Sequence, residues 1–77
     1  MEILYFAEIK DVLNRRKDEF HFDYEITVSY LREYLYKTYP NIQGKEFQIA
    51  VNEEFVKPTD IIKPNDVVAL IPPVSGG

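Results

Sequence analysis

The sequence predicts an α+β domain: a mixed sheet packed against one main helix, with a short C-terminal tail. Three observations carry that expectation. Only one segment, residues 27–39, has the spacing of a long amphipathic helix. Several short stretches alternate apolar and polar residues in the manner of half-buried strands. The chain has 77 residues, enough for one small core and too few for two.

Residues 2–7, "EILYFA", are rich in strand formers and predict the first strand. In "EIKDVLN" (8–14), Ile9, Val12 and Leu13 have helical spacing, enough for one or two turns. Arg15-Arg16-Lys17 is the only dense basic run, and Asp18 and Glu19 follow at once, which reads as a solvated connection. "EFHFDYE" (19–25) sets Phe20, Phe22 and Tyr24 against His21 and Asp23, so period two predicts the second strand of an N-terminal pair.

Thr27 then caps the main helix, and Val28, Leu31, Leu35 and Tyr39 form its apolar stripe. Tyr30 and Tyr34 are expected to broaden the buried face, with Arg32, Glu33 and Lys37 on the wetter side. Pro40-Asn41 stops the helix, since the residue before proline resists the helical region. Gly44-Lys45 marks a turn, and Phe47, Ile49 and Val51 share one side of the next strand. Asn52-Glu53 makes a tight reversal into a short edge strand, residues 54–56. Pro58-Thr59-Asp60 opens a 3₁₀-like connection with Ile61 and Ile62 plugging the core beneath it. After the Pro64-Asn65-Asp66 turn, "VVALI" (67–71) reads as a central strand covered on both faces. First and last strands pairing in parallel at the middle of the sheet give a β-grasp, ubiquitin-like topology over residues 1–73, followed by a tail at 74–77.

Composition narrows the function. There is no cysteine, which removes disulfides, thiolate metal sites and a cysteine nucleophile. A net charge of −4 argues against nucleic acid and suits a basic partner. No stretch is long and apolar enough to span a membrane, and the N-terminus lacks a basic signal region, so a cytoplasmic protein is expected. Enzyme motifs are missing: no phosphate loop, no HExxH, no nucleophile elbow. His21, the sole histidine, reads as a surface residue, and no metal site is expected. The pairs Asp18/Glu19 and Glu53/Glu54 read as solvated loop charge, and Ser29 and Ser75 have no base to activate them. Tyr5 and Phe6 are expected on opposite faces of strand one, leaving an outward aromatic that either docks a partner or packs at the rim.

The tail poses the remaining question. In "PPVSGG", Pro72 and Pro73 stiffen the exit from the last strand, Val74 offers one apolar anchor, and Ser75, Gly76 and Gly77 follow. Two residues without side chains could thread a narrow channel and present a terminal carboxylate inside another protein; fraying is the other reading.

Over its whole length the chain resembles the MoaD-type ubiquitin-like sulfur carriers, the small subunits of molybdopterin synthase. The matching residues are "LYFAEIKD" (4–11), the Thr27–Pro40 helix, "AVNEEFV" (50–56) and "NDVVALIPPVSGG" (65–77). The turn reads Asn65-Asp66 where many relatives have Gly-Asp, and asparagine also enters left-handed turns.

The resemblance implies a subunit that is not catalytic alone and binds no permanent cofactor. An E1-like (MoeB-like) enzyme uses ATP and magnesium to form a glycyl adenylate at Gly77. A sulfurtransferase or cysteine desulfurase supplies sulfur, giving a 1-thioglycine thiocarboxylate. The tail, Pro72 to Gly76, inserts into a large (MoaE-like) subunit, within a heterotetramer of two small and two large subunits. There sulfur passes to cyclic pyranopterin monophosphate and builds the molybdopterin dithiolene. A β-carbon at position 76 or 77 is expected to obstruct entry, whereas Ser75 should tolerate alanine. Phe6, Lys10 and Ile71 are placed on the docking surface. The rivals are a ThiS-like or tRNA-thiolation carrier and a ubiquitin-like binding or conjugation module.

Overall fold

The computed structural model describes residues 1–73; Val74, Ser75, Gly76 and Gly77 lie outside the described residues. Seven strands and two helices follow in order: β1 (Glu2–Tyr5), α1 (Ala7–Leu13), β2 (Lys17–Glu19), β3 (Ile26–Thr27), α2 (Val28–Thr38), a 3₁₀ turn (Pro40–Ile42), β4 (Gln48–Val51), β5 (Glu54–Phe55), β6 (Ile61–Ile62) and β7 (Val67–Ile71). The main sheet runs β2-β1-β7-β4-β5, with β1 and β7 parallel at its centre and the other pairs antiparallel. β3 and β6 form a separate antiparallel pair. This is the expected β-grasp arrangement.

The helix α2 begins where its cap says it should. Thr27 Oγ1 accepts from the Tyr30 amide at 3.1 Å, satisfying one of the unpaired N–H groups of the first turn, which contributes about 1 kcal/mol. Val28, Leu31 and Leu35 face the sheet and are buried with Ile3, Tyr5, Ile49, Val68 and Leu70. Each fully buried leucine contributes about 1.5–3 kcal/mol by leaving water. Tyr39, the C-cap, precedes Pro40 and departs from helical geometry.

Tyr30 and Tyr34 do not broaden that buried face. At about 100° per residue they fall away from the Val28–Leu31–Leu35 stripe, and they are 47% and 36% exposed. Arg32, expected on the wetter side, instead lies over the Phe47 ring, 4.6 Å from its centroid.

The second strand also differs from expectation. β2 is Lys17–Glu19, paired with Leu4, Ile3 and Glu2, so part of the basic run is strand rather than loop. The Phe20 amide donates to the Met1 carbonyl at 2.9 Å as the last bond of that ladder. Beyond it the chain crosses to α2, where Phe20 and Phe22 stack edge-to-face on Tyr34 at 5.2 Å each. Alternating aromatics signalled burial on one side, and a helix rather than a sheet provides it.

Asp18 is likewise no solvated loop charge. Its carboxylate accepts from Tyr5 Oη at 2.8 Å and from Tyr39 Oη and Arg15. Burial and the bond to Asp18 push the Tyr5 phenol far up, and the same causes raise Tyr39. The cluster ties the end of β1 to the end of α2.

Two further expectations change. Ile62 is buried but Ile61 is exposed, because neighbours on a strand face opposite ways and β6 pairs with β3. β7 is central but covered on one face only: Val68 and Leu70 enter the core, while Val67, Ala69 and Ile71 alternate outward. One helical layer cannot cover two faces.

The reversal at Asn52-Glu53 is confirmed by φ values of 50° and 71°, the double left-handed geometry of a tight hairpin. Asn65 takes no left-handed φ; among the described non-glycine residues, Ala7, Asn14, Asn52 and Glu53 do. The turn before β7 is held by side chains. Asp66 accepts from the Lys63 amide at 2.8 Å and from Asn52 Nδ2 at 3.0 Å, and Asn52 Oδ1 accepts from the Val67 amide at 3.0 Å.

Those bonds, the Lys63 amide first, hold the Asp66 carboxyl below its usual range. A depressed carboxylate contributes stability that is present above its unfolded pKa and lost as pH falls through its folded value. The Asp66→Asn variant should therefore lose less stability than the parent between pH 5 and pH 3, read from urea midpoints. Parallel curves for the two proteins would refute the linkage.

Candidate partner-docking face

The open face of the main sheet is built by register. Leu4 on β1 lies beside Ala69 on β7, Ala69 beside Ala50 on β4, and Ala50 beside Phe55 on β5. Two alanines in the middle and larger side chains at both ends make the row concave. The result is a hollow of about 620 Å³ lined by Leu4, Phe6, Ala50, Phe55, Val67 and Ile71 among others. Phe55 is 65% exposed and Phe6 46%. An apolar concavity left open to water is the kind of surface a protein partner covers.

Phe6 owes its position to the corner that follows β1. Tyr5 before it is buried and held by Asp18. Ala7 after it takes φ 48°, a left-handed conformation that costs a non-glycine residue about 1–2 kcal/mol. The strand therefore ends and α1 begins within two residues, with Phe6 as its extended N-cap and its ring turned outward.

On the other side of Phe6 lies a second hollow of about 490 Å³, lined by Leu4, Tyr5, Phe6, Lys10, Arg16 and Lys17. Lys17 pairs with Glu2 at 3.7 Å; Lys10 and Arg16 have no ion pair among the described residues. The apolar basin thus adjoins a cationic one, and Phe6 belongs to both.

The structure brings Phe6 and Ile71 onto one surface and places Lys10 on its basic extension. Pro72 is buried and Pro73 exposed. Pro73 borders a hollow with Arg32, Tyr36 and Phe47. The remaining tail residues singled out in the sequence, Val74, Ser75, Gly76 and Gly77, lie outside the described residues.

Sequence reasoning missed Phe55, Ala50, Ala69 and Arg16. The first three carried a signal: a single alanine within each of two apolar strands, and an aromatic in the short strand after the reversal. Arg16 carried none, because a basic run does not say which of its members points into a groove.

His21 is exposed, and no group of histidine and carboxylate side chains among the described residues could hold a metal ion. No helix among them is long and apolar enough to cross a membrane.

Comparison with known proteins adds a family, two relatives and two solved structures. The ThiS family pattern matches residues 3–77. The chain is 32% identical to the molybdopterin synthase sulfur carrier subunit of Homo sapiens, covering all of this chain and 93% of that one. It is 39% identical to the protein of the same name from Dictyostelium discoideum, covering 99% and 94%. Among solved structures it is similar to SAMP1 of Haloferax volcanii, with a TM-score of 0.85 at 25% identity over 100% of this chain and 98% of that one. A Pyrococcus furiosus protein described as a putative molybdopterin converting factor subunit 1 superposes with a TM-score of 0.86 at 24% identity, covering 95% of each chain; at that identity it speaks to the fold alone.

Proposed function

The chain belongs to the ThiS family, and on that premise we propose that it is the sulfur carrier subunit of a molybdopterin synthase. The observation that carries this reading is full-length similarity, at 31–39% identity, to three proteins named molybdopterin synthase sulfur carrier subunit. The geometry is consistent with a carrier that docks on a partner: the open sheet face is an apolar hollow with Phe6 and Ile71 on its rim.

In this reading the reacting group is the terminal carboxylate of Gly77. A carboxylate is a poor acceptor for a sulfur nucleophile, because oxide is a poor leaving group. An E1-like partner, using ATP and magnesium, joins the carboxylate oxygen to the α-phosphorus and expels pyrophosphate. Hydrosulfide, or its equivalent from a sulfurtransferase or cysteine desulfurase, then attacks the acyl carbon and AMP leaves. The product is a thiocarboxylate, whose sulfur passes to cyclic pyranopterin monophosphate in the large subunit. Two carriers on a large-subunit dimer make the assembly, and the work is done in the cytoplasm.

The apolar basin with Phe6 and Ile71 meets both partners in turn, and Lys10 extends the contact to acidic side chains. Gly76 and Gly77 let the end enter two different channels, since no β-carbon stands near the reacting phosphate or pterin.

Intact mass after incubation with ATP, magnesium, a sulfur source and the activating enzyme tests the proposal. The expected gain equals one oxygen replaced by sulfur, located on Gly77. An unchanged mass, with an enzyme shown to charge its own carrier, refutes it; isopeptide adducts on lysine would instead identify a conjugation module.

A further inference from the structure

The outward side of α2, opposite the open sheet face, carries features that sulfur transfer does not use. Phe22 is the hub of an aromatic cluster. It stacks edge-to-face on Tyr24 and Tyr30 at 6.4 Å and on Tyr34 at 5.2 Å, and Phe20 adds a second contact to Tyr34. Tyr24 is 58% exposed, and Tyr30 and Tyr34 are also exposed. Mutual stacking fixes the rings in place before any partner arrives, which lowers the entropy lost on binding.

The segments that carry these rings bear more acidic than basic side chains. Glu19 at the end of β2, Asp23 and Glu25 in the loop that follows, and Glu33 on α2 are exposed. His21 and Lys37 are the basic side chains of the same segments. Arg32 is turned away, onto Phe47 and bonded to the Phe47 carbonyl and Tyr36 Oη at 3.4 Å each.

We infer that this face is a second docking surface, and that its occupant is an arginine-rich segment of a partner protein. Electron-rich phenol faces attract a guanidinium, and neighbouring carboxylates take its planar N–H pairs, so arginine fits both features at once. Nucleic acid or an anionic membrane would meet the carboxylates unfavourably. A second copy of this chain is a poorer occupant. Of its own basic run, Arg15 is bonded to Asp18 and Tyr39 and Lys17 is paired with Glu2, which leaves Arg16 as a single guanidinium and not an arginine-rich segment. Because α2 lies between this surface and the sheet, the segment binds while the Phe6 basin is occupied. The inference stands apart from the sulfur-carrier reading.

The test is an amide-shift titration of the isotope-labelled full chain, uncharged with sulfur, with a synthetic peptide of alternating arginine and glycine. Saturable shifts are expected at Phe22, Tyr24, Tyr30, Glu33 and Tyr34. Tyr30→Ala should weaken binding about two- to fivefold, and the combined Asp23→Asn, Glu25→Gln, Glu33→Gln variant about tenfold. The control Glu53→Gln, Glu54→Gln should bind as the parent does. Shifts spread evenly over all carboxylates, or centred on Phe6 and Phe55, would overturn the inference. So would concentration-dependent self-association without peptide that involves Arg16 and Tyr30 together, which would make the occupant a second copy.

Discussion

A chain lacking Gly76 and Gly77 is expected to unfold at the same urea midpoint as the parent and to accept no sulfur at all. The two outcomes have separate causes. The core described lies within residues 1–70, from Met1 to Leu70, so removing positions 76 and 77 leaves all of its side chains in place. Sulfur acceptance, in the proposed function, needs a terminal carbonyl carbon at a fixed distance beyond the docking face. If the tail enters the partner extended, as that reading has it, removing two residues withdraws the carbon by about 7 Å, far more than the few tenths of an ångström over which nucleophilic attack tolerates misplacement. Intact mass with the activating enzyme is the measurement. A truncated chain that still gains sulfur would detach the chemistry from Gly77.

Phe6→Asp is expected to cost at least about 2 kcal/mol in affinity for the large subunit, about thirtyfold in Kd, as for the removal of a central aromatic anchor. The ring is half exposed in the free protein, so the fold should tolerate the change. In the complex a carboxylate would have to be desolvated at the junction of the two basins, beside Leu4. Partial compensation by Lys10 or Arg16 is screened in water, and the apolar burial is lost entirely. Calorimetric titration against the large subunit reads the effect, with thermal unfolding as the control for folding. Affinity within threefold of the parent would move the docking surface elsewhere.

Much of this architecture was legible in the chain. The α2 stripe of Val28, Leu31 and Leu35, the Thr27 cap, the Pro40 stop and the Asn52-Glu53 reversal each rest on bonds between residues close in sequence, so local pattern was enough to find them. The loop at 20–25 shows where local pattern stops. Phe20, Phe22 and Tyr24 alternate as a strand does, but alternation reports that one side is covered and not what covers it. Tyr34 on α2 covers it, fourteen residues from Phe20. Asp18 was equally opaque: its partners Tyr5 and Tyr39 lie far off on either side, and no nearest-neighbour rule connects the three.

The same division runs through the candidate site. Phe6 and Ile71 lie 65 positions apart in the sequence and share a basin because β1 and β7 pair in parallel. The basin's concavity comes from Ala69 meeting Ala50 across another strand boundary. By itself the sequence determined the main helix and its limits, the Asn52-Glu53 reversal, the absence of cysteine chemistry and the composition of the tail, since each depends on residue type or short spacing. Tertiary structure alone decided which faces stayed open and which charges were paired. A side chain's exposure depends on what the rest of the fold sets against it, and one helix laid across a five-stranded sheet must leave the opposite face to water or to a partner.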